Sequence, residues 1–543
     1  MDYHQEAKPF KEHLPLLIAL ALGILLLFPN LGDRTATGDE AYTLIQAKTV
    51  LEHGYPYPFY RNFEILPKAT YQLGSILLFN WTPWLESYIA AAMEAVAGFS
   101  EFWLRFPFAL FGLATIALTY VFARKLLSGR FALTMALLLL VTSVTFLLHA
   151  RQARWYVLSM FFALATWHAY WCWIREGRSV WWLSLTAVLL FHSQIYTFAA
   201  VLFSLAAHFV LFERKRCTLS WLRKNALPLV AILMATAPWF VLTGQLAGKA
   251  GGITLSPLRF GLGIALYSYY TAVLLVPLVV VIPGLIMVLR KEGWSEQRKF
   301  IATILLGSFL FLPVKGDLLP AVRYLVFLIP LLSIVTAEAL AVVRRKSVFI
   351  ALVLAVVIGT TNVIHIAPLI PFRPLLDAVT VGKAQELESE FIDQSLAPRA
   401  YFPEYLYEVT HHTTSAEEEI IRVMSEDGSP GDTFITSNFA HVILVYTNMD
   451  VGLPDARAES YYKMTGQQPP NRVPEWIIPR GFRFERAETD AFIREADATY
   501  NLSRYRQVAI DINDEERWAS SPDPINHKFK TDTSRTLTIY HRP

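Results

Sequence analysis

Hydrophobicity is distributed unevenly along this chain, and that unevenness limits its fold more than any motif does. From about residue 12 to residue 370 it is dominated by long apolar runs, whereas residues 372–543 have the polar mixture of an ordinary globular unit. Of 543 residues, 54% are hydrophobic and 17% charged, against roughly a quarter charged in soluble domains. Mean hydropathy is +0.37. One soluble core does not produce such a split. A membrane domain over 1–371 followed by a soluble domain over 372–543 does.

A helix needs about 20 mainly apolar residues to cross the hydrocarbon core. Candidate spans lie near 13–30, 102–123, 131–149, 156–174, 180–192, 194–212, 226–243, 264–289, 300–313, 321–343 and 348–370, about eleven in all. The run Leu14–Phe28 follows Lys8 and Lys11 but lacks a small-residue cleavage site, so it reads as an uncleaved first span. With the N-terminus cytoplasmic, the basic clusters all fall on one side. They are Arg124-Lys125 with Arg130, Arg175 with Arg178, Arg214-Lys215-Arg216 with Arg223-Lys224, Arg290-Lys291 with Arg298-Lys299, and Arg344-Arg345-Lys346. This follows the positive-inside tendency. An odd span count then puts the C-terminal domain and the loop 31–101 outside the cytoplasm, in a multi-pass protein of the cell membrane.

A net charge of +3 without a basic stripe excludes a nucleic-acid partner. Two cysteines, Cys172 and Cys217, make no disulfide framework or ligand pattern. No P-loop or dinucleotide fingerprint is present.

The outer side carries the exceptions. His149-Ala150-Arg151-Gln152-Ala153-Arg154-Trp155-Tyr156 sets two arginines against the charge rule, and the loop before the tenth span holds Lys315, Asp317 and Arg323-Tyr324. Charge placed against topological preference points to function, although outer arginines also snorkel to headgroups. Thr37-Gly38-Asp39-Glu40-Ala41-Tyr42 opens a helix that stops at Gly54. Asp39 there is either an ordinary N-cap or a carboxylate kept ionised by the helix terminus and free to accept a proton. Glu64 is a second carboxylate of the same loop, and Trp81-Thr82-Pro83-Trp84-Leu85 with Tyr88 suits the membrane interface. Past residue 371, Glu417–Glu426 reads as helix. Thr433–Ser437, Val442–Tyr446, Trp476–Ile478 and Thr536–Tyr540 read as strands of an α/β domain.

The Gly-Asp-Glu-Ala-Tyr loop after the first span, Phe99-Ser100-Glu101-Phe102-Trp103-Leu104-Arg105-Phe106-Pro107, Ala150–Tyr156, and Arg323-Tyr324 followed by Pro330 share one order and one side. Together they resemble the GT-C membrane glycosyltransferases. The similarity is to glycosyltransferase family 39, which contains the protein O-mannosyltransferases and the ArnT-type aminoarabinose transferases. The resemblance covers about the first 345 residues. It implies an inverting transfer from a polyprenyl-phosphate sugar donor to a protein, lipid or glycan acceptor on the outer face.

On that resemblance Asp39 becomes the candidate base, with Glu40 beside it in an orienting or structural role. Arg151, Arg154 and Arg323 become candidates for the carrier phosphate, with Tyr156, Lys315 and Tyr324 in the same stretches. Glu64 sits where the ArnT-type Glu-Lys-Pro-Pro carboxylate would be, but Glu64-Ile65-Leu66-Pro67 matches it in part only, so a divalent-metal role stays open. His192 lies at the outer end of the fifth span, where relatives sometimes use a histidine. The alternative is a transporter or flippase for a lipid-linked saccharide. Such a protein would carry ionisable residues in mid-span, whereas here Arg105, His168, His208 and Glu338 lie toward span ends.

Overall fold

A computed structural model of the chain describes residues 8–36, 38–67, 69–244, 257–315, 322–374, 392–412, 414–469, 472–480, 486–512, 521–527, 529 and 535–542. The apolar part folds into a bundle: α1 (Lys8–Leu27), α2 (Asp39–His53), α3 (Leu85–Ala97), α4 (Glu101–Leu126), α5 (Arg130–Thr142), α6 (Val144–Ala150), α7 (Trp155–Glu176), α8 (Trp181–Ser193), α9 (Ile195–His208), α10 (Leu219–Leu242), α11 (Pro257–Tyr270), α12 (Leu278–Glu292), α13 (Glu296–Phe311), α14 (Ile329–Arg344) and α15 (Val348–Thr360). Between α2 and α3 lie two antiparallel ribbons, β1–β2 (Phe59–Tyr60, Phe63–Glu64) and β3–β4 (Thr70–Leu73, Ile76–Phe79).

Among the described residues five helices are long and apolar enough to cross a membrane singly, and up to seven segments are if each bent pair counts as one. That is fewer than the eleven spans expected, because several helices are short. Three shorter apolar helices remain, Glu12–Leu27, Trp181–Ser193 and Val348–Thr360. The single span expected over 264–289 is corrected: the chain turns by 97° between Phe260–Leu275 and Leu278–Glu292. Pro277 supplies no N–H to continue the ladder, which ends the helix there. α5 and α6 meet at Ser143 with a bend of 58°.

The two ends of the bundle differ in character. At one end the C-termini of α4 and α7 meet through Lys125 and Glu176. Arg175 bonds Glu213 at 2.7 Å and Glu296 at 2.5 Å, and Arg345 bonds Glu292 at 2.6 Å. These residues belong to the basic clusters of the sequence, now interleaved with carboxylates. At the opposite end, the first turns of α2, α4 and α7 converge. Between the ends, the flanks of α10, α12 and α15 present Leu233, Met234, Ile282, Phe349 and Val356 outward, as lipid-facing helices must.

The C-terminal unit is α/β. Its five-stranded sheet has β5 (Thr433–Thr436) between β6 (Asp450–Val451) and β7 (Trp476–Ile478), followed by β9 (Arg535–His541) and β8 (Arg506–Ile512). β6, β5 and β7 are parallel, and β9 joins β7 and β8 antiparallel. The helix Ala416–Asp427 starts with a capping box, Ser415 and Glu418 each satisfying the other's backbone N–H. The strand expected at Val442–Tyr446 is instead a helix, Ala440–Tyr446. Every residue from Ala440 to Val445 is buried, and a fully buried apolar run has no polar face to reveal its period. This helix packs against the first loop of the bundle, and one buried apolar cluster runs through both parts of the molecule.

Close approach of helices depends on small residues. A Cβ built on Gly284 of α12 would lie 2.6 Å from the Cβ of Ala339 in α14, whereas one on Gly261 of α11 meets nothing within 4 Å. Gly284→Leu should therefore lower the thermal unfolding midpoint in detergent, by the equivalent of about 1–3 kcal/mol, and Gly261→Leu should not. Equal midpoints for both variants and wild type would refute this packing.

Candidate active site

Gly38 precedes α2 with φ of 55°, a left-handed conformation that disfavours any side chain. The turn it makes leaves Asp39 as the first helical residue and not its cap, and no side chain caps this terminus. The carboxylate of Asp39 goes elsewhere. Its Oδ2 accepts a hydrogen bond from the Tyr156 hydroxyl at 3.0 Å and another from Arg323 Nη1. Residues 117 and 284 positions away in sequence thus meet on one oxygen. Burial opposes the charged form of Asp39. The Arg323 and Arg154 charges and the two donated bonds outweigh it, so its pKa falls below the ordinary carboxylate value.

Successive helical side chains point about 100° apart, so Glu40 turns inward. Both its oxygens accept from the Arg105 guanidinium at 2.8 Å, and Oε1 also accepts from the Ala153 backbone N–H at 2.8 Å. Arg105 Nη1 donates to the carbonyls of Leu31 and Arg34. Glu40 is 1% exposed, with both carboxylate oxygens engaged.

The three arginines separate in the fold. Arg323 lies on Asp39. Arg154 is buried: Nη1 donates to Glu86 Oε1 at 2.7 Å and to Thr43 Oγ1 at 2.9 Å, while Nε has no hydrogen-bond partner among the described residues. Arg151 donates to the carbonyls of Leu26, Leu27, Pro29 and Asn30, closing the C-terminus of α1. Tyr324 stacks on Trp155, ring centroids 5.8 Å apart, and meets Tyr196 edge-on at 6.0 Å.

The other sequence candidates among the described residues have different partners. Glu64 is buried in β2 and accepts from Thr70 Oγ1 at 3.0 Å. Among the described residues no group of three His, Cys, Asp or Glu side chains could hold a metal ion. His192 sits with Nε2 3.2 Å from the Ala235 carbonyl oxygen of α10. Lys315 closes a 3-10 turn, Leu312–Lys315. Its side chain, like Thr37, Lys68 and Asp317, lies outside the described residues.

Sequence reasoning missed Glu86. It is fully buried in α3, and its Oε2 accepts from the Trp155 backbone N–H at 2.5 Å. Burial pushes its pKa up to about 7, against the pull of Arg154 and the Trp155 N–H. A lone carboxylate amid Leu85, Tyr88 and Ile89 was the available signal. The C-terminal unit also contributes. His441 stacks on Tyr42, centroids 4.2 Å apart, beside the Gly38 backbone, and burial drives its pKa down to about 3. Arg457 Nη1 donates to the Tyr42 hydroxyl at 3.1 Å.

The fold has counterparts among known proteins. Residues 82–242 match the family model described as dolichyl-phosphate-mannose-protein mannosyltransferase. The crystal structure of ArnT from Cupriavidus metallidurans bound to undecaprenyl phosphate superposes with a TM-score of 0.56 at 12% identity, covering 98% of each chain. The apo structure of that protein gives a TM-score of 0.51 at 14% identity over 86% of this chain and 90% of the other. The chain has the fold of these structures, the GT-C fold. No curated protein sequence matches it. The fold expectation from the sequence, a GT-C helical membrane domain with a C-terminal α/β unit, is borne out.

Beside Arg154, Glu86 supplies a pH signature. The folded chain holds the Glu86 proton up to about pH 7, and the unfolded chain releases it near 4.5. The raised folded pKa stabilises at low pH, and that contribution is lost as pH rises through this window. Wild type should therefore lose thermal stability relative to Glu86→Gln between pH 4.5 and 7. A difference between the two that stays constant over this range would contradict it.

Proposed function

We propose that the chain is an inverting glycosyltransferase that moves a sugar from a polyprenyl-phosphate donor to an acceptor hydroxyl on the extracytoplasmic face. The observation that carries this reading is the shared oxygen of Asp39, held by Tyr156 and Arg323. It sets one carboxylate base beside one guanidinium, which is the minimum an inverting displacement requires. The likeness to a protein solved with undecaprenyl phosphate supports the lipid-phosphate donor.

In the proposed reaction the acceptor oxygen attacks the anomeric carbon and its proton passes to Asp39. The bond from that carbon to the phosphate oxygen breaks, and the phosphate leaves with the electron pair. One base suffices because no glycosyl-enzyme forms. Charge accumulates on the departing phosphate, and Arg323 is the cation beside Asp39 with a planar fork suited to it. While Arg323 stays on Asp39, the carboxylate is a weak base. Donor phosphate would draw the guanidinium away and restore basicity as the substrate arrives. Arg154 and Arg151, with partners of their own, act on the geometry of this site. The sugar and the acceptor are read only as classes: a hexose or pentose, and a protein, lipid or glycan hydroxyl.

With a radiolabelled polyprenyl-phosphate sugar pool and cell-envelope acceptors, Asp39→Asn should reduce transfer by about 10²–10⁴-fold, the usual worth of a general base. Equal transfer by the two proteins removes Asp39 from the chemistry. For sidedness, a cysteine replacing the exposed Pro430 should react with an impermeant thiol reagent in intact cells. Labelling only after lysis would put the C-terminal unit, and the site it covers, in the cytoplasm.

A further inference from the structure

At the end of the bundle opposite the Asp39 cluster, many cations have a carboxylate. Lys125 meets Glu176, Arg298 meets Glu292 and Glu338, Lys299 bonds Glu296 at 2.9 Å, and Arg345 bonds Glu292 at 2.6 Å. The turn joining α9 to α10 differs. Residues 213–224 carry five basic side chains and one acid. That acid, Glu213, is buried and engaged by Arg175 at 2.7 Å and Arg216 at 2.6 Å. Arg214, Lys215, Arg223 and Lys224 are all exposed, and among the described residues none of them makes an ion pair. They form two Arg-Lys pairs within eleven residues. Like charges this close in sequence repel, and a counter-charge relieves the repulsion.

The flanks of the turn indicate where that counter-charge comes from. Val210, Leu211 and Phe212 are exposed before it, and Leu219, Leu227 and Val230 after it. α10 packs on α8, and α9 on α13, so the exposed apolar side chains face lipid tails. Of the five helices long enough to cross a membrane singly, the two joined here are the least buried. Trp221 lies at the turn, its ring centroid 5.2 Å from those of Trp173 and Phe209. Tryptophan settles at the level of lipid headgroups. The four cations therefore sit at the depth of lipid phosphates, with apolar helix surface beside them for acyl chains.

A soluble polyanion would meet the charges but not the apolar flanks. A zwitterionic lipid would cover the flanks but brings its own cation to its phosphate. An anionic phospholipid satisfies both, and the planar fork of arginine matches its phosphate. We propose that the α9–α10 turn binds an anionic phospholipid, its phosphate held by Arg214, Lys215, Arg223 and Lys224 and its chains lying along α9 and α10. This site is separate from the Asp39 cluster and independent of the transfer proposed above.

The chain carries its own probe. Cys217 is exposed in the middle of the turn, whereas Cys172 is buried, so a maleimide benzophenone attaches to full-length wild type at Cys217. In nanodiscs of phosphatidylcholine with a minor share of phosphatidylglycerol, irradiation should give lipid adducts, read by mass spectrometry. Phosphatidylglycerol should be enriched in them over its share of the bilayer by about fivefold or more, a ratio that roughly one cation–lipid contact supplies. Arg214→Gln, Lys215→Gln, Arg223→Gln and Lys224→Gln together should abolish the enrichment. A control with the same loss of charge at the same end, Arg130→Gln, Arg290→Gln, Lys291→Gln and Lys346→Gln, removes exposed cations from three other turns and should keep it. No enrichment in wild type, enrichment unchanged in the first variant, or equal loss in both variants would overturn the proposal. If the first variant fails to fold, its two halves decide: Arg214→Gln with Lys215→Gln, and Arg223→Gln with Lys224→Gln, should each lower the enrichment, and wild-type values for both would refute the site.

Discussion

The carboxylate of Glu40 and the guanidinium of Arg105 meet in parallel at 2.8 Å, 1% and 7% exposed at their side chains. Removing two charges from water is costly, and such a pair persists only where geometry is good and the remaining lone pairs and protons are used. Here they are, by the Ala153 N–H on one side and the Leu31 and Arg34 carbonyls on the other. Four pieces of chain are joined at this point: the loop after α1 and the first turns of α2, α4 and the α7 lead-in. Losing one partner of a buried pair of this kind typically costs about 3–5 kcal/mol, because the other charge is left uncompensated. Asp39 is adjacent to Glu40, so the inward carboxylate sets the position of the lateral one.

A second layer of charge fastens the C-terminal unit over this junction. Arg34 lies 3.4 Å from Glu408, which His527 bonds at 2.6 Å, all three buried. Burial opposes the Glu408 charge, but His527 and Arg34 hold its pKa down to about 2. Tyr405 donates to the Leu26 carbonyl at 2.6 Å, and the Tyr446 hydroxyl accepts from the Ala36 N–H at 2.7 Å. Asn62 exchanges two bonds with the backbone of Val451, as a paired strand residue would. The first loop is therefore held from both sides, by helix ends below and by the α/β unit above.

Much of this was legible in the sequence, for physical reasons. Crossing a membrane imposes composition on every span, so the apolar runs located most of the helices, and misplaced cations drew attention to Arg323 and the Arg151–Tyr156 turn. Asp39 was visible as a choice between cap and base, and the structure shows its carboxylate used on Tyr156 and Arg323. What stayed hidden depends on partners far along the chain. Glu86 and Arg105 acquire their meaning from Arg154 and Glu40, 68 and 65 residues away, and no local pattern encodes that distance. Nor could periodicity show that 440–446 is helical, or that the apolar run around Pro277 bends by 97°.

The hydrogen bond from Arg323 to Asp39 spans 284 positions, and the Tyr446 contact with Ala36 spans 410. A ribosome delivering this chain to a membrane exposes the acidic loop early and its cationic partner much later, with the covering unit last. During that interval Asp39 and Arg34 are charged groups without their counterparts, open to water or to a chaperone. The contact between Asp39 and Arg323 therefore cannot form until residue 323 has been made. A chain interrupted before residue 323 has its acidic loop but lacks the guanidinium that holds it.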